Sequence, residues 1–89
     1  MRAADEQDFA SYVAERRPGL VQAVAVLGSP PGHAATLTDR ALARAGRAWA
    51  EVRQGSGPDA EVWRLLLEER ARDRTRWWHE EPATAAPGL

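Results

Sequence analysis

Cysteine is absent from this chain of 89 residues, so neither a disulfide nor a thiolate metal site can hold it together. Lysine is absent as well, and all 12 basic side chains are arginine. Beside so much alanine, that usage reads as the mark of a GC-rich genome rather than as a set of phosphate-binding forks. Twelve basic against 13 acidic residues leave a formal charge of −1, without the basic excess of a DNA-docking module. Long hydrophobic runs are missing too: the longest uncharged apolar stretch, residues 20–27, is far too short to cross a bilayer. The opening Met1-Arg2-Ala3-Ala4-Asp5-Glu6 is acidic and polar, unlike a signal peptide, and implies a cytoplasmic protein. Phenylalanine and tyrosine occur once each, but there are four tryptophans, Trp49, Trp63, Trp77 and Trp78. In a domain this small they are the largest source of packing energy at hand.

The apolar spacing is helical throughout, and no stretch alternates with the period of a strand. A first helix is predicted over about residues 5–27, with Phe9, Val13, Leu20, Val24 and Leu27 on its inner face. Pro18 lacks an amide donor and crowds the preceding turn, so a kink or break is expected near Arg17. Residues 28–32, Gly-Ser-Pro-Pro-Gly, form a turn. A second helix is predicted over 33–53, with Leu37, Ala41, Ala45, Ala48, Trp49 and Val52 as a narrow, alanine-rich stripe. A second break follows at residues 54–58, where Ser56 or Gly57 can cap a third helix over 59–78. Val62, Trp63, Leu65 and Leu66 are its inner face, and Glu68 with Arg72 has the spacing of an i,i+4 ion pair. The expected organisation is an N-terminal arm (1–7), a helical domain (8–79) and a disordered Pro/Ala-rich tail (80–89). The expected fold is all-α, a small orthogonal-to-antiparallel bundle of three main helices with the first broken near Pro18.

A catalytic or metal-binding constellation is not evident. His33 sits beside a turn and His79 at a helix end, and neither has a second histidine at i+3 or i+4. Ser11, Ser29 and Ser56 lie in no nucleophile motif. Gly55-Ser56-Gly57 is too short to cradle a phosphate. Glu68 and Glu69 read as part of a solvated face. No enzyme activity, cofactor or metal is expected. Two features remain. Arg40, Arg44 and Arg47 fall on one face of the second helix, a basic stripe suited to an acidic surface. Trp77-Trp78, preceded by Arg70, Arg72, Arg74 and Arg76, pairs aromatics with arginines in the manner of single-strand binders. The nearby Glu68, Glu69, Asp73, Glu80 and Glu81 cancel that field. One of the two tryptophans is expected to close the core and the other to serve as an interface anchor.

Taken in order, "FASYVAERRPGLVQAVAVLG", "HAATLTDRALARAGRAWAEV" and "GPDAEVWRLLLEERARDRTRWW" resemble region 2 of extracytoplasmic-function sigma factors of the compact actinobacterial type. The resemblance spans about residues 8–82. It implies a helical bundle that docks on the clamp helices of RNA polymerase and captures flipped bases of the melted −10 promoter element. By position, the polymerase-facing surface would be Thr36, Asp39, Arg40 and Arg44. The promoter-facing surface would be the 53–60 loop with Glu61, Trp63, Arg64 and Glu68. The chain departs from the family at these surfaces. Thr36 stands where the family carries an acid, and Asp39-Arg40 where it carries Gln-Glu. Glu61 replaces an aromatic and Glu68 an asparagine. Arg40 facing the basic clamp helices weakens docking, and two carboxylates repel phosphates. No second helical domain follows to read a −35 element, as expected of either a stand-alone remnant or a fragment.

Two functions follow. In the first, the chain is a sigma region 2-like protein acting in transcription regulation. It binds RNA polymerase or a sigma/anti-sigma partner through Thr36, Asp39, Arg40, Arg44 and Arg47, with DNA contact weak or lost. In the second, it has left transcription and serves as an interaction or homodimerisation module, with Trp63, Trp77 and Trp78 as anchors.

Overall fold

The computed structural model describes residues 3–55 and 57–85, with side chains described as far as Asp73. The chain is all-α. Four helices are present, α1 (Ala3–Val26), α2 (Pro31–Arg47), α3 (Trp49–Gln54) and α4 (Pro58–Ala85), and no strand occurs among the described residues.

α1 is continuous through Pro18, against the expected break, and takes in most of the supposed N-terminal arm. Pro18 is solvent-exposed, so the carbonyl that loses its amide partner there lies on the wet side of the helix. The helix ends in a Schellman motif: Ser29 N–H donates to the Val24 carbonyl (3.3 Å) and Gly28 N–H to that of Ala25 (3.0 Å). Gly28 supplies the left-handed conformation this requires, φ +113°. Leu27 is therefore a capping residue rather than a core residue and is 42% exposed. Pro30 and Pro31 open α2, with the Pro30 carbonyl accepting from Ala34 N–H at 2.7 Å.

The predicted second helix is divided in two. At Ala48 the backbone leaves the helical region (φ −122°, ψ 31°), and its N–H turns back to the Ala45 carbonyl. The break reorients Trp49 toward α1, where its indole packs on Phe9 and Tyr12, both at 5.1 Å between ring centroids. Trp49 Nε1 donates to Asp8 Oδ2 (2.9 Å), so burial leaves its one polar atom satisfied. The same carboxylate accepts an ion pair from Arg53 at 3.0 Å, tying α3 to α1.

Gly57 (φ +107°) leads into α4, its carbonyl accepting from Glu61 N–H; Ser56, the other proposed cap, lies outside the described residues. α4 runs on to Ala85, past the expected end at Trp78 and through residues 80–85 of the supposed tail; residues 86–89 lie outside the description.

Contacts fix the topology. Arg17 on α1 meets Asp39 on α2, and Phe9 near the start of α1 meets Trp49 just past the end of α2, so the two helices are antiparallel. His33 pairs with Asp73, and Arg44 with Glu68 and Glu69, so α2 and α4 are antiparallel as well. α1 and α4 then run parallel on either side of α2, joined by Tyr12 with Asp59 at one end and Arg70 with the Leu27 carbonyl at the other. α2 is the central element. Its inner side, Ala34, Leu37, Thr38, Ala41, Leu42 and Ala45, packs with Val24 of α1 and Val62, Leu65 and Leu66 of α4. The alanine-rich stripe does bring the helices close. A Cβ built on Gly46 would stand 2.8 Å from the Phe9 ring, so only glycine admits that ring against α2.

Candidate functional site

Two surfaces were expected from the sequence, a basic one on α2 and a promoter-facing one at the start of α4. The residues of both lie on neighbouring helices, and a ladder of ion pairs joins them.

On α2 the helical period separates the three arginines. Arg40 and Arg47, seven residues apart, lie on the outer face with Thr36 and Ala43, all exposed. Arg44 lies round the helix toward α4 and is half-buried. Its guanidinium donates through Nη2 to Glu68 Oε1 and through Nη1 to Glu69 Oε2, each at 3.0 Å. The planar fork bridges two adjacent carboxylates on the neighbouring helix, one terminal nitrogen to each. Glu69 is buried, contrary to its reading as part of a solvated face, and takes a second donor from Arg72 at 3.1 Å. Arg72 thus pairs with Glu69 one turn away rather than with Glu68 as expected. Glu68 is engaged by Arg44 and Arg64.

Asp39 is on the α1 side of the outer face. Arg17 grips both its oxygens, Nε at 2.7 Å and Nη2 at 3.1 Å. That bidentate hydrogen bond holds the Asp39 carboxyl below the usual carboxylate range and raises the guanidinium in turn. Thr36 is exposed and donates its hydroxyl to the Gly32 carbonyl at 3.2 Å, closing the first turn of the helix. Of the five residues proposed for protein binding, Asp39 and Arg44 are thus engaged within the molecule. Arg40 and Arg47 have no hydrogen-bond or ion-pair partner among the described residues.

The supposed promoter surface is internally neutralised. Arg64 lies between Glu61 and Glu68, its Nε donating to Glu61 Oε2 at 3.2 Å and its terminal nitrogens engaging Glu61 and Glu68. Hydrogen bonding from Arg64 lowers the Glu61 carboxyl, and hydrogen bonding from Arg44 lowers that of Glu68. Both carboxylates stay ionised, and with Arg44 on Glu68 and Arg64 between Glu61 and Glu68 the charges of this group balance. Trp63 is half-buried and packed against the core, so much of its indole is committed to the fold. The side chains of Trp77, Trp78 and His79 lie outside the described residues, and with them the proposal that one tryptophan closes the core.

Three features escaped sequence reasoning. The first is the pair between His33 and the half-buried Asp73, which fastens the start of α2 to α4. The second is Tyr12, which donates to Asp59 at 2.8 Å; burial foremost, then that carboxylate, pushes the phenol well above its ordinary value. The third is Thr38, whose buried hydroxyl has no hydrogen-bond partner among the described residues. Only long-range packing brings the partners of the first two together, and no local motif marks them.

Among the described residues no group of three or more histidine, cysteine or carboxylate side chains is placed to hold a metal, and no helix is long and apolar enough to cross a membrane. No family model, no curated protein and no solved structure matches this chain.

Proposed function

We propose that the chain is a non-enzymatic protein-binding module of sigma region 2 type, working in the cytoplasm in transcription regulation through the outer face of α2. The observation that carries this reading is the pair Arg40 and Arg47. They are the α2 cations left over once Arg44 is bound to Glu68 and Glu69, and they stand two turns apart around the small Ala43. Two guanidinium groups without a partner among the described residues, flanking a small alanine, suit an acidic surface and repel a basic one. That chemistry favours an acidic sigma or anti-sigma regulator over the basic clamp helices of RNA polymerase. Promoter contact is weak or lost in this reading, because Arg64 is held between Glu61 and Glu68 and Arg44 between Glu68 and Glu69, so neither guanidinium is left for phosphates.

The test is gel filtration with light scattering. The chain is mixed in turn with the host's core RNA polymerase and with its purified sigma and anti-sigma factors. Co-elution with one of these proteins, abolished by R40E/R47E and kept by E61Q, is the expected result. If none co-elutes, or if R40E/R47E binds as well as the wild type, the reading fails.

A further inference from the structure

We infer that the element received by the outer face of α2 is an α-helix of the partner, carrying two carboxylates seven residues apart and laid along α2 rather than across it. This rests on the reading of that face as a binding surface and specifies the kind of chain that fits it.

The inference begins with what Arg40 and Arg47 have to pair with inside the molecule. Both are exposed and engage no carboxylate among the described residues, whereas Arg16, Arg17, Arg44, Arg53, Arg64 and Arg72 each hold at least one. Asp39, the only acidic residue of α2, is engaged by Arg17 through both oxygens. α4 meets the first turn of α2 at Asp73, so residues 74–85 run on beyond that end of α2, away from the two arginines. The backbone of Glu80, seven residues further, stands about 10 Å past that end at 1.5 Å per residue. The other residues outside the description, 1, 2, 56 and 86–89, include no Asp or Glu. The complementary charge must come from another chain.

Spacing then selects the partner. Seven residues of helix set the Cα atoms of Arg40 and Arg47 about 10.5 Å apart along the axis. A helix with carboxylates seven residues apart repeats that distance on one face. On an extended strand the residues of one face recur at about 6.8 and 13.6 Å, and neither distance matches. The residues between the arginines say how the helix lies. Thr36, Arg40, Ala43 and Arg47, all exposed, alternate small and long side chains at steps of four, three and four. That is the spacing of a coiled-coil seam, along which two helices run within about 20° of each other and stay in contact over successive turns. A steep crossing would meet one arginine and leave the other in water. Thr36 and Ala43 leave room for larger apolar side chains of the partner. The Thr36 hydroxyl already donates to the Gly32 carbonyl, so covering it strands no donor.

Fluorescence anisotropy on the full chain tests the inference with short labelled helical peptides based on alanine and leucine. Each carries two glutamates, set four, seven or eleven residues apart. A fourth probe is the seven-spaced peptide with proline at its centre, which keeps the charge and breaks the helix. The seven-spaced helix is expected to bind at least about fivefold tighter than the other three. R40E/R47E should lose it and bind instead the same peptide with arginine in place of both glutamates, which also shows that the variant is folded. Equal affinities for the three spacings, undiminished binding of the proline peptide, or no binding of any peptide at about 1 mM would overturn the inference. The α2 reading itself fails on a different observation, a regulator that co-elutes with R40E/R47E as well as with the wild type.

Discussion

Two sides of α2 are held by different physics. At its C-terminal end Trp49, Phe9 and Tyr12 pack ring against ring, Gly46 gives way to the phenylalanine, and one carboxylate, Asp8, satisfies both the indole and Arg53. Along its flank toward α4, Arg44, Glu68, Glu69, Arg64, Glu61 and Arg72 form a chain of charge-assisted hydrogen bonds. Aromatic packing gains from the area removed from water and has no charge of its own to titrate. An ion-pair ladder gains little net energy where it is exposed, but it fixes the register of two helices and responds to acid. The aromatic end therefore supplies stability. The charged flank supplies alignment, and it withdraws arginines from the surface that sequence alone would assign to binding.

That contrast can be broken most directly at Trp49. Trp49→Ala should cost about 3–5 kcal/mol in urea denaturation, the usual range for deleting a buried tryptophan, and leave the domain barely folded. Next comes Gly46→Ala. In an exposed helix the change would stabilise by about 1 kcal/mol. Here the new methyl meets the Phe9 ring at 2.8 Å, so a loss of about 1–3 kcal/mol is expected by the same assay. A gain would mean that Phe9 moves aside freely and the close approach is not needed.

The charged flank should show itself in acid. Asp39, Glu61 and Glu68 have carboxyls lowered in the folded state by their arginine partners. Their contribution is fully present above the unfolded carboxylate values and is lost as pH falls through the lower folded ones. Thermal unfolding followed by circular dichroism should give a flat Tm from pH 7 to about 5 and a fall below about 4, with E68Q falling less steeply. The smallest effect is expected at Thr38. Its buried hydroxyl has no hydrogen-bond partner among the described residues, so Thr38→Val removes a desolvation cost and should be neutral or stabilising by up to about 1 kcal/mol.

The helices were legible because apolar spacing, glycine and proline are local signals. Leu37, Ala41, Ala45, Val62, Leu65 and Leu66 are buried as their spacing implied. The break at Ala48 was not legible, because alanine is the best helix former and nothing local marks the end. It arises from Trp49 reaching Phe9 and Tyr12, some forty positions earlier in the chain. Pro18 misled in the opposite direction: its cost depends on whether the freed carbonyl meets water, a matter of burial and not of sequence. At the candidate site the positions of Arg40, Arg44 and Arg47 could be read, but not their separate roles. Seven residues return Arg47 to the side of Arg40, whereas Arg44 faces a helix whose placement depends on the whole fold.

The claim that Arg44 is a structural cation while Arg40 and Arg47 are free to bind is tested most directly by comparing the thermal unfolding of R44E with that of R40E/R47E. R44E sets a third carboxylate against Glu68 and the buried Glu69 and should lower Tm by about 10 °C, while R40E/R47E should change it by less than about 2 °C. Equal shifts in the two variants, or a larger one in R40E/R47E, would contradict the division of the three arginines.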